Sequence, residues 1–421
     1  MTLIMRGRLR YAAVSAAAIL GAWASGRGAA AEPAPPYRDL LAQAQSSAPR
    51  LAEAEAGVRQ AQGLARQAAA RPNPTAAVEM ENFNGSGPYR GTGAAETTFS
   101  VGLPIELGGK RGARIAAGRA GVDAARARLA QARADYAFEL AAAYAEAEAA
   151  ERRVTLAQES LTLAEEDLRA ARALVEAGKE AELRSLQAQA GVTSARAALD
   201  AARTARASAF ARLTALAGSP APFTALAESL LPRPTPANLE RTIDALSVPA
   251  VVAAQAEREA AARRVRVERT RAVPDVTVSA GVRRFSGDDS SAVVAGVSVP
   301  IPVFDQNRGN VNAAQGELLA AEARLNAARL DAEAELRTAL FQVEAAETRV
   351  AAAVETEATA AEAYRLTRIA YEAGKSPLVE LTNARRALAE ARTQTIEAQL
   401  QRLRAEAGLA RLQGRAPFGV S

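Results

Sequence analysis

Apolar positions recur every seven residues along two stretches of this chain, and those stretches predict its longest elements. From Arg308 to Gly374 the stripe runs through Leu336, Val343 and Val350, breaks at Glu357, and resumes at Tyr364 and Tyr371. A seven-residue spacing is the seam of a coiled coil. No proline interrupts the stretch, and Gly309 and Gly316 fall in its first turns. Ala, Glu, Leu and Arg, all strong helix formers, fill the rest. At 1.5 Å per residue such a helix is a rod of roughly 100 Å. Gly374 supplies the positive-φ position that ends it, and Pro377 suits the first turn of a helix running back to Gly414. An earlier rod is predicted over about Lys110 to Ala177. Its stripe is Ile115, Val122, Leu129 and Tyr136, shifting phase to Leu140, Val154, Leu161, Leu168 and Val175.

Ahead of each rod the period changes to two, the mark of strands with one apolar face. Val78 and Met80 alternate with Glu79 and Glu81. After the flexible loop Asn84 to Gly93, Phe99, Val101 and Leu103 alternate with Thr98, Ser100 and Gly102. Later, Val276, Val278, Ala280 and Val282 alternate with polar neighbours, the chain turns at Ser286 to Ser290, and Val293, Ala295, Val297 and Val299 return. An opening helix precedes each strand pair, about Pro36 to Ala70 and about Pro236 to Ala272. Pro72, Pro74 and Pro274 mark their ends.

These elements form an internal duplication. Pro104 matches Pro300, Glu176-Ala-Gly-Lys179 matches Glu372-Ala-Gly-Lys375, and Gly218 matches Gly414, each at an offset of 196 residues. The expected organisation is a first repeat over 32–217, a proline-rich connector over 218–236 that crosses the outside of the rods, a second repeat over 237–414, and a tail over 415–421. The strands are placed at about 75–83, 96–105, 275–285 and 292–301, and the long hairpins at about 110–217 and 308–414.

Residues 1–31 read as a secretory signal. Arg6, Arg8 and Arg10 precede an apolar run from Tyr11 to Trp23 that is too short to span a bilayer, and Ala29-Ala30-Ala31 offers a cleavage site before Glu32. That segment carries four arginines and no acid, so most of the formal net charge of +5 leaves with it. The balance that remains gives no reason to expect a nucleic-acid partner. The chain has no cysteine and no histidine, which removes disulfides, a catalytic triad and the usual transition-metal ligands. No catalytic residue, cofactor or resident metal is expected.

Strands of this length, apolar on one face, fit a membrane β-barrel. Four strands cannot close one, and an open edge in lipid leaves backbone groups unsatisfied. The expected fold is therefore mainly α with a membrane β part. Three chains share a twelve-stranded β-barrel, and their duplicated long hairpins form a helical tube beneath it. Phe83, Tyr89, Phe99, Phe285 and Phe304 are expected to supply part of the interfacial aromatic girdles.

The whole chain after the signal resembles the TolC-like outer-membrane factor family. The doubled helix, strand-pair and hairpin layout with paired tip turns carries that resemblance. Arg71-Pro-Asn-Pro74, Val78-Glu-Met-Glu-Asn-Phe-Asn-Gly85, Glu106-Leu-Gly-Gly-Lys-Arg111 and Val299-Pro-Ile-Pro-Val-Phe-Asp-Gln-Asn-Arg-Gly309 are similar to its cobalt-zinc-cadmium resistance (CzcC-like) branch. The resemblance implies a homotrimer in outer-membrane lipid that reaches through the periplasm. Its tips would dock a periplasmic adaptor bound to an inner-membrane pump of the resistance-nodulation-division (RND) class, exporting cobalt, zinc or cadmium ions. Gly178, Lys179, Gly374, Lys375, Ser376 and Pro377 are the implied docking turns. Arg365, Arg368, Tyr371 and Glu372 are the near-gate candidates, although family members often carry acidic residues near that tip. A duct for drugs or for type I secretion is the alternative. A periplasmic adaptor fits less well, because adaptors carry one hairpin and this chain has two.

Overall fold

The computed structural model describes residues 32–234, 244–373 and 375–419. The expected signal segment, Gly374 and the junction between connector and second repeat lie outside them. Each opening helix begins at a proline. In the first repeat a short helix α1 (Tyr37–Ser47) is followed by α2 (Pro49–Ala69). The sequence pattern predicts one helix here. Pro49 forces Ala48 into extended geometry (ψ 123°), and the helix restarts with the proline in its first turn. The second repeat does the same, with Val248 extended ahead of α5 (Pro249–Arg271).

The four strands β2 (Thr75–Glu81), β3 (Glu96–Ile105), β5 (Val276–Phe285) and β6 (Ser291–Ser298) form one antiparallel sheet in the order β2-β3-β5-β6. The two repeats meet along β3 and β5, where Phe99 lies opposite Val282. Strands β2 and β6 are free edges. Register lines up Val78, Phe99, Val282 and Val293 on one face, with Leu103, Val278 and Val297 in a lower row. That face is apolar and exposed. The other carries Glu79, Glu81, Glu96, Thr98, Ser100, Ser279 and Arg283.

Below the sheet run the two rods, α3 (Lys110–Glu176) and α6 (Arg308–Glu372), each about 100 Å long. Helix α2 covers the upper half of α3, and α4 (Glu182–Ala217) the lower half. Helices α5 and α7 (Leu378–Leu412) stand between α3 and α6 and touch both. The layer therefore reads α2/α4, α3, α5/α7, α6, and its free edges fall on the same sides as β2 and β6.

The connector is more than a crossing strap. Its strand β4 (Phe223–Leu226) pairs parallel with β1 (Glu32–Ala34), and Leu230 and Leu231 are fully buried. They join Tyr37, Leu40, Tyr144, Leu213, Leu400 and Leu403 in the main core, a collar at mid-height on α3, α4 and α7. The Tyr37 ring meets Tyr144 and Phe418 edge-on, with centroids 6.1 and 5.3 Å away.

Strand β3 turns into α3 through Gly108 and Gly109, both at positive φ (67° and 74°). Arg111 and Arg114 reach back to the last carbonyls of α2, at Ala69, Ala68 and Ala70, where positive charge suits the helix dipole. Lys110 is drawn into an ion pair with Asp275 at 2.7 Å, which joins the two repeats at the base of the sheet. A Cβ at Gly108 would lie 2.7 Å from Val273 Cγ2, whereas one at Gly109 would meet nothing. Gly108→Ala should lower the thermal midpoint by the equivalent of about 2 kcal/mol or more, from strain plus overpacking. Gly109→Ala should cost about half as much, because only the φ penalty applies. Parallel melts followed by circular dichroism check the ratio.

Candidate functional site

A wall that conducts must hold its helices together and still let its end move, so the seams between helices are the features to compare. Inside each hairpin the seam has an apolar spine, flanked on α3/α4 by the ion pairs Arg196–Glu165 at 3.5 Å and Arg206–Glu151 at 2.9 Å. Leu161 and Leu168 of α3 close on Val192 and Leu199 of α4. Leu336, Ala339 and Val343 of α6 pack with Leu409 and Leu412 of α7 in a cluster that includes Val251 of α5.

The seam between hairpins, where α3 meets α7, is ionic below the collar. Arg404 pairs with Glu146, and Glu146 with Arg153 at 3.1 Å. Arg153 in turn pairs with Glu397 at 2.6 Å. Lower down, Arg392 pairs with Glu159 at 2.9 Å and approaches Glu357 of α6 at 3.8 Å. Nearest the tip, Arg385 pairs with Asp167 at 2.6 Å and stacks over the Tyr364 ring at 5.9 Å. Arg411 bridges the same way higher up, to Asp135 at 3.3 Å and Glu335 at 2.8 Å. Helix α7 thus carries a ladder of arginines that ties the first repeat to the second. The Gln401 amide, with Arg153 and Arg404 nearby, holds the Glu397 carboxyl below the ordinary glutamate range.

The collar anchors that ladder at mid-height. Glu148 is buried and accepts from Leu230 N at 2.7 Å, Leu231 N at 3.1 Å, Ser229 Oγ at 2.6 Å and Arg152 at 3.0 Å. From the other side, buried Arg402 of α7 donates to the Leu231 carbonyl at 3.0 Å. One connector residue is therefore gripped by α3 and α7 together.

Beside the ladder, two open grooves run between α3, α6 and α7, with volumes of about 960 and 700 Å³. The upper one is lined by Asp135, Phe138, Glu335, Gln342, Arg349 and Arg404 among others. Its α3 residues lie across the helix from the collar-facing Tyr144 and Leu140. Among the described residues no group of acidic side chains is arranged to hold a metal ion.

The expected tip residues take simple places. Gly178 sits at φ 69°, and Lys179 N donates to Leu174 O at 2.9 Å, closing α3. Lys375 N donates to Ala370 O at 2.8 Å in the matching turn. Ser376 bonds Glu380, and Pro377 caps α7. Among the described residues the near-gate candidates pair within their own helix, Arg365 with Glu362 at 2.7 Å and Arg368 with Glu372 at 3.6 Å. Tyr371 is half-buried. The side chain that links hairpins near the tip is Arg385, which the sequence reading passed over. Its one visible signal is the seven-residue step from Arg385 to Arg392.

On the sheet, Phe99 lies on the apolar face one row inside the upper rim, and Phe304 is 99% exposed below β6. Phe285 departs from the expected girdle. It pairs with Glu96 on the polar face, beside Arg283, because strand alternation carries it there. Arg283 bonds Glu81 at 3.0 Å, Glu96 at 2.9 Å and Thr98 at 2.9 Å.

Residues 40–219 and 245–415 match the family model described as "Outer membrane efflux protein". The chain belongs to that family. Proteins of this family are outer-membrane efflux channels rather than enzymes. A nickel-cobalt-cadmium resistance protein, NccC, of Alcaligenes xylosoxydans xylosoxydans is 47% identical over 391 residues, covering 92% of this chain and 88% of that one. The cobalt-zinc-cadmium resistance protein CzcC of Cupriavidus metallidurans is 31% identical over 375 residues, covering 88% and 86%. Among solved structures, the CmeC outer membrane channel of Campylobacter jejuni matches with a TM-score of 0.76 at 16% identity, covering 91% of this chain and 86% of that one. The exposed apolar sheet face and the long hairpins thus belong to a chain of the outer-membrane efflux family.

Glu148→Ala should lower the melting midpoint by the equivalent of about 3 kcal/mol, since it strands buried donors from the connector and leaves Arg152 unpaired. Arg365→Ala, on an exposed local pair, should leave the midpoint unchanged. Thermal melts of the two variants in the same detergent make the comparison.

Proposed function

We propose that three copies of this chain form the outer-membrane exit duct of a tripartite RND-type efflux system for divalent transition-metal cations. The observation that carries the cargo is near full-length relatedness to proteins named for metal resistance. Cobalt and cadmium are common to both names, so they are the first cations to test, with nickel and zinc next. The absence of histidine and cysteine agrees with a conduit that passes such ions without holding them.

The free edges support the assembly. Strand β6 of one chain would pair with β2 of the next, and three chains would close twelve strands with no edge left in lipid. The mechanism is passive. The tip turns at Gly178-Lys179 and Lys375-Ser376-Pro377 lie about 100 Å from the sheet and would receive the periplasmic adaptor. The adaptor and the inner-membrane pump would then bias the hairpins from closed to open, and ions would diffuse down the lumen.

A strain lacking the gene should lose tolerance to cobalt and cadmium and regain it with the plasmid-borne gene, while sensitivity to hydrophobic drugs stays unchanged. The reverse pattern would replace the metal cargo with a drug cargo and leave the duct reading in place. Mass measurement in detergent should give three chains. Gly178→Val places a β-branched residue at positive φ, at a local cost of about 1–3 kcal/mol. Trimers should still form and insert, while cross-linking from Lys179 to the adaptor and metal tolerance both fall.

A further inference from the structure

The internal duplication lets the seam inside one chain be compared, position by position, with the edges that the chain leaves free. Within the chain, α3 of the first repeat stands beside α7 of the second. Moving both by 196 residues turns α3 into α6 and α7 into α4. The free edge of α6 and the free edge of α4 are therefore the two halves of a second seam built on the same plan. It can close only between copies of the chain, and so it rests on the assembly proposed above.

Part of the pattern is retained. Glu159 and Arg392, which pair at 2.9 Å inside the chain, correspond to Glu355 on α6 and Arg196 on α4. The charges keep their signs; Glu355 is exposed with no side-chain partner among the described residues, whereas Arg196 already meets Glu165 of its own hairpin at 3.5 Å. One step nearer the tip the pattern changes. Asp167 and Arg385, the ionic tie between the two hairpins nearest the tip, correspond to Ala363 and Gln189. In their place the free edges carry large apolar side chains, Leu366 and Ile369 on α6 and Leu183 and Leu186 on α4. All four are about half exposed or more. Their counterparts inside the chain are Ala170 and Ala173 on α3 and Val379 and Thr382 on α7.

The three leucines and the isoleucine point away from their own hairpins. The buried heptad Ala332, Ala339, Ala346 and Ala353 of α6 continues to Ala360 and Thr367. At about 100° per residue, Leu366 and Ile369 lie ~100° and ~200° from that line. On α4 the line through Val192 and Leu199 runs back to Ser185, with Leu186 and Leu183 at the same offsets.

We infer that Leu366 and Ile369 of one copy pack against Leu183 and Leu186 of the next, and that the tip divides on opening along the ionic seams within chains rather than the apolar seams between them. The moving body then crosses the chain boundary: α6/α7 of one copy travels with α3/α4 of its neighbour. The physical reason is what each seam leaves behind. Separated Asp167 and Arg385 are rehydrated as free ions, whereas separated leucines leave apolar surface in water.

The chain has no native cysteine, so paired cysteines report cleanly. Leu186→Cys with Leu366→Cys, and separately Leu183→Cys with Ile369→Cys, should give oxidised dimer and trimer bands on non-reducing gels. Asp167→Cys with Arg385→Cys should cross-link within one chain. In planar bilayers, with the adaptor added, the between-chain pairs should keep opened conductance within about twofold of the reduced protein. The within-chain pair should cut it at least tenfold and recover with reductant. Trimers by mass that yield no between-chain band from either pair would overturn the packing. Between-chain bands that block conductance as fully as the within-chain pair would overturn the division. A monomeric mass would instead overturn the assembly itself.

Discussion

An antiparallel sheet of four strands has two edges, and among the described residues the outer edges of β2 and β6 are unpaired. Within hydrocarbon, each unpaired N–H and C=O on those edges costs several kcal/mol. The helical layer repeats the condition on a larger scale, since α6 and α2/α4 expose their outer faces on the same two sides. Both halves of the molecule are left incomplete by one arrangement, and in the proposed trimer one head-to-tail contact would complete both. The apolar face of the sheet, the length of the rods and the offset between repeats make sense only beneath that constraint.

What holds each hairpin differs in kind from what joins the hairpins. Leucines and alanines at heptad spacing zip α3 to α4 and α6 to α7. Arginines of α7 then stitch one hairpin to the other through carboxylates on α3. Most of these pairs are roughly a third to a half exposed, where an ion pair is worth little and can be exchanged for hydration at small cost, whereas Arg385–Asp167 nearest the tip is mostly buried. Apolar seams cannot be exchanged in that way. The wall is therefore held along each hairpin by apolar packing and across the α3/α7 line largely by ion pairs, while the collar, where Glu148 and Arg402 both hold Leu231, fixes that line at mid-height.

The sequence made the architecture readable because its signals are periodic and occur twice. Heptads mark α3 and α6, strict alternation marks the strands, and a constant offset shows that each element has a twin. Pro49 and Pro249 were equally visible, yet the helical pattern on either side outweighed them, and the break at Ala48 appears only in the fold. The ladder was hidden for another reason. Asp167 and Arg385 are 218 positions apart, and each resembles the solvated charges around it. Phe285 followed from composition to a girdle, whereas its register beside Glu96 carries it to the polar face. The connector's apolar piece was noticed, but no local rule says that Leu230 and Leu231 belong to the main core.

Both ends of the described chain meet in the collar. The ring of Tyr37 rests on Phe418, 381 positions later in the sequence, and β1 pairs with a strand from the connector. Contacts so distant in sequence form late, after the loop they close has been ordered by nearer ones. Each hairpin can therefore zip as it emerges from the export machinery, while the collar waits for the last residues. Chains interrupted during synthesis or translocation will present well-formed rods with an open waist.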